Sequence, residues 1–416
     1  MRKTLLVMLL CLMAPAFLFA QTYNIVIKGG HVIDPKNNID EPMDIAVKDG
    51  KIARIAKNID ATGAVQVVDA TGMYVTPGLI DMHVHVFQGP NLTQTYMNGP
   101  SSVMPDGFTF RVGVTTVVDA GCSGWRTFAD FKRQIIDISQ TRVLALLNIV
   151  GEGMRGGAFE QNLKDMAVAP TVECAKKYPE HVVGIKLAHY SGHDWTPVIR
   201  GVEAGKILNL PFMVDFGSAN PPLPLDSLFL HYFNPGDIFT HCYGGGGAGR
   251  QAIVDNGQLR PYMNAARDRG IIFDMGHGGS SFTFANAVPA TKAGFFPDVI
   301  STDLHITSMN AAMKDQLNCM DKMMALGMDL KGVINASTWK PAQVIKRTDL
   351  GHLTVGAEAD IAIFDLRTGK FRVFDPRGVK MDADKKLECQ MTIRAGRIVY
   401  DLNGIATPLV LPRRRS

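Results

Sequence analysis

The middle of the chain alternates short apolar runs with longer and more polar gaps. Eight runs lie between residues 78 and 304: GLIDMHVHV, TTVVDAG, RVLALLNIVG, VVGIKLA, FMVDFG, DIFTHCY, IIFDMG and DVISTDL. Their nearly continuous hydrophobicity is typical of parallel strands buried on both faces. Most gaps are long enough for a crossover helix, as in 125–138, 171–178, 196–207 and 312–326. This pattern predicts an α/β fold based on a TIM-like (β/α)8 barrel.

The two ends of the chain have a different pattern, in which apolar and polar residues alternate over short stretches. YNIVIKGGHVID, MDIAVKDGKIARIA and VQVVDATGMYV precede the barrel, and LTVGAEADIAIFDL, KFRVF and MTIRAGRIVYD follow it. KDGK between two alternating runs is typical of a β-hairpin. We therefore predict a small β-sandwich domain built from both chain ends, residues 21–76 and 350–405. The barrel would then occupy residues 77–349, and residues 406–416 would form a C-terminal tail.

The first twenty residues have a third pattern. Arg2 and Lys3 precede an apolar stretch, and Ala20 is a small residue suited to cleavage. This arrangement predicts a secretory signal peptide over residues 1–20 and an exported protein, periplasmic or secreted. We expect no stable membrane span after its removal, because no later segment is long and apolar enough.

Composition and charge restrict the classes of partner. The chain has 416 residues, with 43 Lys and Arg against 39 Asp and Glu, and no basic stripe interleaved with aromatic residues. Nucleic acid is therefore not an expected partner. The six cysteines show no CxxC and no regular spacing, which does not favour a disulfide framework even in an exported protein. Homo-oligomerisation is left open.

Ionisable side chains recur inside the apolar runs, mostly near their carboxyl ends. His83 and His85 are two residues apart, so they share one face of the first run. Four later runs supply Lys186, Asp215, His241 and Asp303, and the seventh run leads into His277. Each has a structural alternative, such as a hydrogen-bonded core histidine, a buried ion pair or a helix cap. However, the strand ends of a barrel meet at one rim, and burying so many ionisable groups there without a metal or mutual pairing is costly.

These motifs resemble those of the amidohydrolase superfamily of metal-dependent hydrolases. The similarity is greatest to its deacetylase-like subgroup, near dihydroorotases and D-aminoacylases. It covers VTPGLIDMHVHV, GIKLA, GDIFTHCYGG, FDMGHGGSSF, STDLH and LTVGAEADIAIFDL.

The resemblance implies a binuclear site. It makes His83 and His85 ligands of the first metal ion and Lys186 a carboxylated lysine that bridges two divalent cations, zinc or alternatively manganese. It also makes His241 a ligand of the second ion, and Asp303 both a ligand and the catalytic acid–base.

One position departs from the family pattern. The fifth run usually supplies a histidine to the second metal, and this chain has Asp215. We interpret Asp215 as an oxygen ligand of that metal, because carboxylates are established zinc ligands. The alternative is an ion pair between Lys186 and Asp215, which would keep the amine charged and prevent its carboxylation.

The resemblance also implies the chemistry. We expect hydrolysis of an amide or ester in a small acylated compound by a metal-bound hydroxide. Candidate substrate-binding residues lie in the loops that follow the strands: Arg155, His189, Tyr190, His193, Tyr243 and His277. Two alternatives are a cyclic-amide or dipeptide hydrolase of the same superfamily and an inactive exported barrel that serves as a scaffold.

Overall fold

The computed structural model describes residues 23–90, 101–246 and 249–409. The predicted signal peptide and the last residues of the predicted tail lie outside the described residues. Within those ranges, no helix combines the length and the hydropathy that crossing a bilayer would require. The cysteines that the structure describes, Cys122, Cys174, Cys242, Cys319 and Cys389, are all free thiols.

The strands and helices follow one another in the order that the sequence pattern predicts. The strands are β1 Ile25–Asp34, β2 Ile39–Lys48, β3 Lys51–Ala56, β4 Gln66–Asp69, β5 Tyr74–Pro77, β6 Leu79–Val84, β7 Val114–Gly124, β8 Arg142–Asn148, β9 Val182–Tyr190, β10 Phe212–Phe216, β11 Ile238–Phe239, β12 Val254–Asp255, β13 Gln258–Leu259, β14 Ile272–Phe273, β15 Ile361–Phe374, β16 Lys380–Arg394, β17 Arg397–Asp401 and β18 Ala406–Thr407.

The helices lie mostly in the predicted gaps between the barrel strands. They are α1 Phe128–Phe131, α2 Val168–Lys177, α3 Thr196–Leu208, α4 Leu225–Ser227, α5 Met263–Asp268, α6 Phe284–Lys292, α7 Ile306–Asn310, α8 Gln316–Ala325, α9 Leu330–Asn335 and α10 Trp339–Val344. Short 3-10 turns span Pro105–Gly107, Phe110–Val112 and Gly157–Gln161, and π-helical turns span Lys132–Ile136 and Leu228–Tyr232.

The barrel is confirmed. Seven parallel strands form one sheet in the order β14-β11-β10-β9-β8-β7-β6. Residues 299–304, which belong to the eighth apolar run, close it through parallel bridges from Val299 to Asp274 and from Leu304 to Val84. A cluster that includes Val118, Leu146, Met213 and Ile238 joins side chains from neighbouring strands, as expected for the interior of a barrel. Side chains two positions further along these strands, such as Asp215, therefore project above this apolar interior.

The small domain is also confirmed as an assembly of both chain ends. Its sheet runs β17-β16-β15-β5-β1-β2-β3, and β4 pairs with β1 and β18. The predicted hairpin forms between β2 and β3, where Asp49 and Gly50 both have positive φ, as a two-residue type I′ turn requires. Ala406–Thr407 pairs with β4, so the sheet extends past residue 405 into the segment predicted as a tail.

A cluster of charges connects the start of β8 to the small domain. Arg142 lies 2.7 Å from Asp360 and 2.9 Å from Glu358, and Arg394 lies 3.2 Å from Asp360. The side chains of Arg142 and Asp360 are each only 12% exposed. Removing one member of a poorly hydrated pair leaves the other charge unmatched, which is more costly than losing an exposed ion pair.

We expect Asp360→Asn to lower the free energy of unfolding by about 3–5 kcal/mol, the cost of breaking a buried pair. Asp382→Asn is the matched control, because Asp382 also pairs with an arginine at 2.8 Å but is 85% exposed. The control should change stability by less than about 0.5 kcal/mol. Urea unfolding of both variants measures the difference, and equal effects would show that this cluster does not stabilise the contact between the domains.

Candidate metal centre

His83 lies near the end of β6 and His85 directly follows that strand, and their imidazole rings are close together. Both are buried, and their ring centroids lie 5.5 Å apart. Nε2 of His85 lies 2.8 Å from Oδ1 of Asp303, and Nε2 of His83 lies 3.6 Å from the same oxygen. Closure of the barrel thus brings two imidazole nitrogens and a carboxylate to one point.

The other ring nitrogen of each histidine is held by a polar neighbour. Nδ1 of His83 lies 2.9 Å from the hydroxyl of Thr240, which donates its own proton to Asp274 at 2.7 Å and therefore accepts from His83. Nδ1 of His85 lies 3.2 Å from Sγ of Cys122. Such partners orient a metal-binding imidazole and direct Nε2 towards the ion. Burial lowers the pKa of His83 to about 3, so its ring is neutral and keeps a free lone pair.

His241 follows β11 and faces two acceptors. Nδ1 is hydrogen-bonded to the carbonyl oxygen of Gly276, and Nε2 lies 3.2 Å from Oδ2 of Asp215. A ring with an acceptor at both nitrogens requires either a second proton or a metal ion at Nε2. The ligand atoms of His83, His241 and Asp303 lie within 4.8 Å of one another, a grouping that suits a cation.

The distances within this group fit a metal ion. Ligand atoms around a tetrahedral zinc, with bonds of about 2.0–2.2 Å, lie roughly 3.3 Å apart. The contacts from Asp303 to His85 and His83 and from Asp215 to His241 are 2.8, 3.6 and 3.2 Å. Nitrogen and carboxylate oxygen are the donors that zinc accepts, so the donor set and its spacing both fit.

Lys186 lies in the interior of the barrel, on β9, and is fully buried. A Cβ at Gly121 would lie 2.6 Å from its Cγ, so the lysine stem passes where only glycine leaves room. Nζ lies 3.4 Å from the sulfur of Met213, and no carboxylate of the described residues forms an ion pair with it. Burial lowers its pKa, which favours the neutral amine. The alternative ion pair between Lys186 and Asp215 is therefore not formed.

Asp215 instead contacts two histidines and an arginine. Oδ2 lies 3.2 Å from Nε2 of His241 and 3.3 Å from Nε2 of His189, whereas Oδ1 lies 3.4 Å from Nη1 of Arg250. Nδ1 of His189 lies 3.2 Å from the buried carboxylate of Glu160. Burial alone would raise the pKa of Asp215, but its histidine neighbours hold it well below the usual range, so the group is ionised.

Three residues of this group have left-handed backbone conformations. His189, His241 and Asp303 have φ values of 56°, 57° and 54°. Such conformations are uncommon for residues other than glycine and cost of order 1–3 kcal/mol each. His189 lies at the end of the fourth barrel strand, His241 follows the sixth and Asp303 lies in the eighth run, and their conformations persist because surrounding contacts fix them. Strain concentrated in this way is typical of a functional site.

The predicted substrate residues are not all in one place. His189 contacts Asp215 directly, and His277 is buried against Phe282 with its Nε2 lacking a hydrogen-bond partner among the described residues. The others have partners of their own: Arg155 stacks on Phe159 and pairs with Glu152, His193 contacts the carbonyl of Pro221, and Tyr243 donates to the carbonyl of Phe295. Tyr190 is buried at the end of β9. Among these contacts of the described residues, His189 is therefore the predicted substrate residue that touches a predicted metal ligand, Asp215.

Several residues at the site were missed by the sequence analysis. Nε2 of His305 lies 3.9 Å from Oδ2 of Asp303. Its position directly after the eighth run, in STDLH, could have identified it from the sequence. Arg250 and Glu160 lie in loops and have no periodicity that would reveal them. Thr240 was hidden because a threonine within an apolar run reads as an ordinary strand residue.

Two solved structures with this fold are titled as enzymes. The chain superposes on a structure titled as an adenine deaminase with a TM-score of 0.81 and 29% identity, covering 91% of this chain and all of the other. It superposes on a structure titled as a dihydroorotase with a TM-score of 0.78 and 31% identity, covering 91% of this chain and 97% of the other. The barrel and its attached β domain are thus shared over nearly the whole length.

Sequence comparison agrees. Residues 281–399 match the Amidohydrolase family. A deacetylase of Brucella anthropi is 36% identical over 386 residues, which cover 88% of this chain and 93% of that protein. A deacetylase of Agrobacterium fabrum is 35% identical over 376 residues, which cover 86% and 89%. The resemblance drawn from the motifs is confirmed, and the chain belongs to the amidohydrolase family of hydrolases.

Proposed function

We propose that the chain is a metal-dependent deacylase that cleaves an amide or ester bond in a small N-acyl or O-acyl compound. The observation that carries this proposal is the convergence of three imidazole Nε2 atoms and two carboxylates beside a fully buried lysine. The names of the two bacterial relatives, both deacetylases, support the reaction class.

Six residues would hold two divalent cations, zinc or alternatively manganese. His83, His85 and Asp303 would hold the first, Asp215 and His241 the second, and Lys186 would bridge them as a carbamate. The neutral amine of Lys186 would attack carbon dioxide, form an N–C bond and release one proton. The lysine then becomes an anion with two oxygens. When bound, the cations supply a nucleophilic hydroxide at neutral pH and polarise the substrate carbonyl.

Asp303 would be the proton carrier. Burial alone would raise the pKa of Asp303, but the 2.8 Å contact of its Oδ1 with Nε2 of His85 helps to hold it well below the usual range, so the carboxylate is ionised and would accept the proton of the attacking water. Its side chain is 13% exposed, which leaves one edge open to a substrate. Asp303 would then transfer the proton to the leaving amine or alcohol, as a general base that becomes a general acid.

The substrate would be bound by the loops that follow the strands. His189, Tyr190, His193, Tyr243 and His277 remain candidates together with Arg155, which would bind a carboxylate of the substrate. The structure titled as a dihydroorotase, at 31% identity, favours cyclic amides as a second candidate class. A screen of N-acyl acids, O-acetyl acids and cyclic amides against the zinc- and manganese-loaded protein tests both classes.

We further propose that the chain is exported and acts on its substrate in the periplasm or outside the cell. The basic and then apolar character of residues 1–20 supports this proposal. The expected partner is the small acylated compound itself and not nucleic acid. Homo-oligomerisation is an open alternative, which size-exclusion chromatography with light scattering tests.

We expect Asp303→Asn to lower kcat by about 10²–10⁴-fold, because an amide cannot accept the proton of the attacking water. Circular dichroism should show an unchanged fold. Asp349→Asn is the control, since Asp349 is 59% exposed in a surface pair with Arg347. Activity like that of the wild type in metal-loaded Asp303→Asn would contradict the role of Asp303.

We expect Lys186→Gln to reduce the metal content from two ions per chain to one or fewer, because an amide cannot form the bridging carbamate. The wild type and the variant are prepared with excess Zn²⁺ and bicarbonate, and metal is counted by mass spectrometry. A single ion in the wild type, with an unmodified Lys186 in a metal-soaked crystal, would refute the binuclear assignment.

We expect Arg155→Met to raise KM for acylated carboxylates by more than tenfold, while KM for neutral acetyl esters and the metal content stay the same. The physical reason is the loss of a bidentate guanidinium–carboxylate contact, which contributes about 1.5–3 kcal/mol. Equal losses on charged and neutral substrates would remove Arg155 from substrate binding.

A further inference from the structure

Arg250 reaches the metal centre from a glycine-rich loop. Nη1 lies 3.4 Å from Oδ1 of Asp215, and Nη2 lies 3.4 Å from the carbonyl oxygen of Thr240, the residue before His241. The guanidinium therefore bridges the ends of β10 and β11. Its side chain is 16% exposed, so most of the charge is shielded from water.

The backbone of this loop is fixed where Arg250 begins. Gly249 has φ +86°, and a Cβ at that position would lie 2.6 Å from Cα of Ser218. Only glycine allows this approach to the segment that follows β10. The amide of Gly246 also donates to the carbonyl of Arg250 at 3.1 Å. The guanidinium thus starts from an anchored backbone beside Asp215.

The two oxygens of Asp215 have different neighbours. Oδ1 faces Arg250, whereas Oδ2 faces Nε2 of both His241 and His189 and would be the oxygen that binds the proposed second metal ion. A carboxylate with one oxygen held by an arginine has a fixed plane, so its other oxygen has a fixed direction. An aspartate is also shorter than a histidine, which makes its orientation more important.

The net charge of the proposed metal site also points to Arg250. An aspartate at the end of the fifth strand adds one negative charge that a neutral histidine would not. The proposed carbamate and Asp303 already supply two, and the third is offset by the Arg250 guanidinium, which contacts Asp215 on the side opposite to His189 and His241. With a histidine at position 215, the same cation would oppose a nearby metal ion.

We propose that Arg250 is a positioning residue for the second metal ion, and that its contact with Asp215 is what allows an aspartate to replace the histidine there. This inference rests on the proposed function. It predicts that Arg250 assists metal binding when residue 215 is aspartate and opposes it when residue 215 is histidine. An ordinary structural ion pair would not produce this reversal of sign.

The test is a double-mutant cycle on the full chain, with Zn²⁺ affinity measured by chelator competition. We expect Arg250→Gln to weaken binding of the second ion by about 10–100-fold, the usual cost of losing a residue that orients a ligand. We expect Asp215→His alone to weaken it as well. The double variant Asp215→His/Arg250→Gln should bind at least tenfold more tightly than Asp215→His.

Two further variants keep the test specific. Arg260→Gln is the matched control, because Arg260 lies after the same loop, 3.5 Å from Asp255, and donates to the carbonyl of Ala252. It should leave metal affinity unchanged. Arg250→Lys keeps the charge without the fork-shaped contact and should restore part of the lost affinity.

The outcomes separate the two proposals. The inference is overturned if Arg250→Gln weakens Zn²⁺ binding both in the wild type and in Asp215→His, or if it changes the Zn²⁺ affinity of neither. The free energies of unfolding of the metal-free variants measure how much the Arg250–Asp215 contact stabilises the fold by itself, separately from its effect on metal affinity. If the wild type binds two Zn²⁺ ions and the variants show the reversal, but the wild type hydrolyses no acyl compound, the proposed reaction fails and the role of Arg250 stands.

Discussion

The site depends on one constraint, which is that ionisable groups removed from water must be matched by partners or by a bound cation. His83, His85, Lys186, Asp215 and His241 are all buried at the mouth of the barrel. An isolated charge buried in such a place has a free-energy cost that packing in the barrel interior cannot offset. The structure meets the constraint by placing carboxylates against imidazoles, and the acceptors on both nitrogens of His241 indicate where positive charge is still required.

The barrel meets this constraint through its geometry. Parallel strands end at one rim, and residues 299–304 bring the last strand position back beside the first. Asp303 therefore lies against His83 and His85 although more than two hundred residues separate them in the chain. The left-handed backbones of His189, His241 and Asp303 turn these side chains inwards at a cost in local stability. The packed barrel, whose interior cluster joins neighbouring strands, is what sustains that cost.

The fold was predictable because its signals are periodic. Eight apolar runs and two alternating ends specify strands directly, and the two-residue spacing of His83 and His85 already places their rings on one face. The contacts of Asp215 were not predictable in the same way. They depend on Arg250 and Glu160, which come from loops whose paths are set by tertiary packing, such as the close approach of Gly249 to Ser218. Sequence periodicity identifies residues within strands, but it does not predict which loop packs against which strand.

This difference explains why the departure at residue 215 looks unfavourable in the sequence and acceptable in the structure. Taken alone, aspartate in place of histidine adds charge and shortens the side chain. In the structure, one of its oxygens meets Arg250 and the other meets His189 and His241, so the substituted group is both neutralised and oriented. If Asp215 is a metal ligand as proposed, the change of ligand type has to be judged together with the residues that contact it. In this chain its surroundings include Arg250, which comes from a loop, and the two histidines His189 and His241.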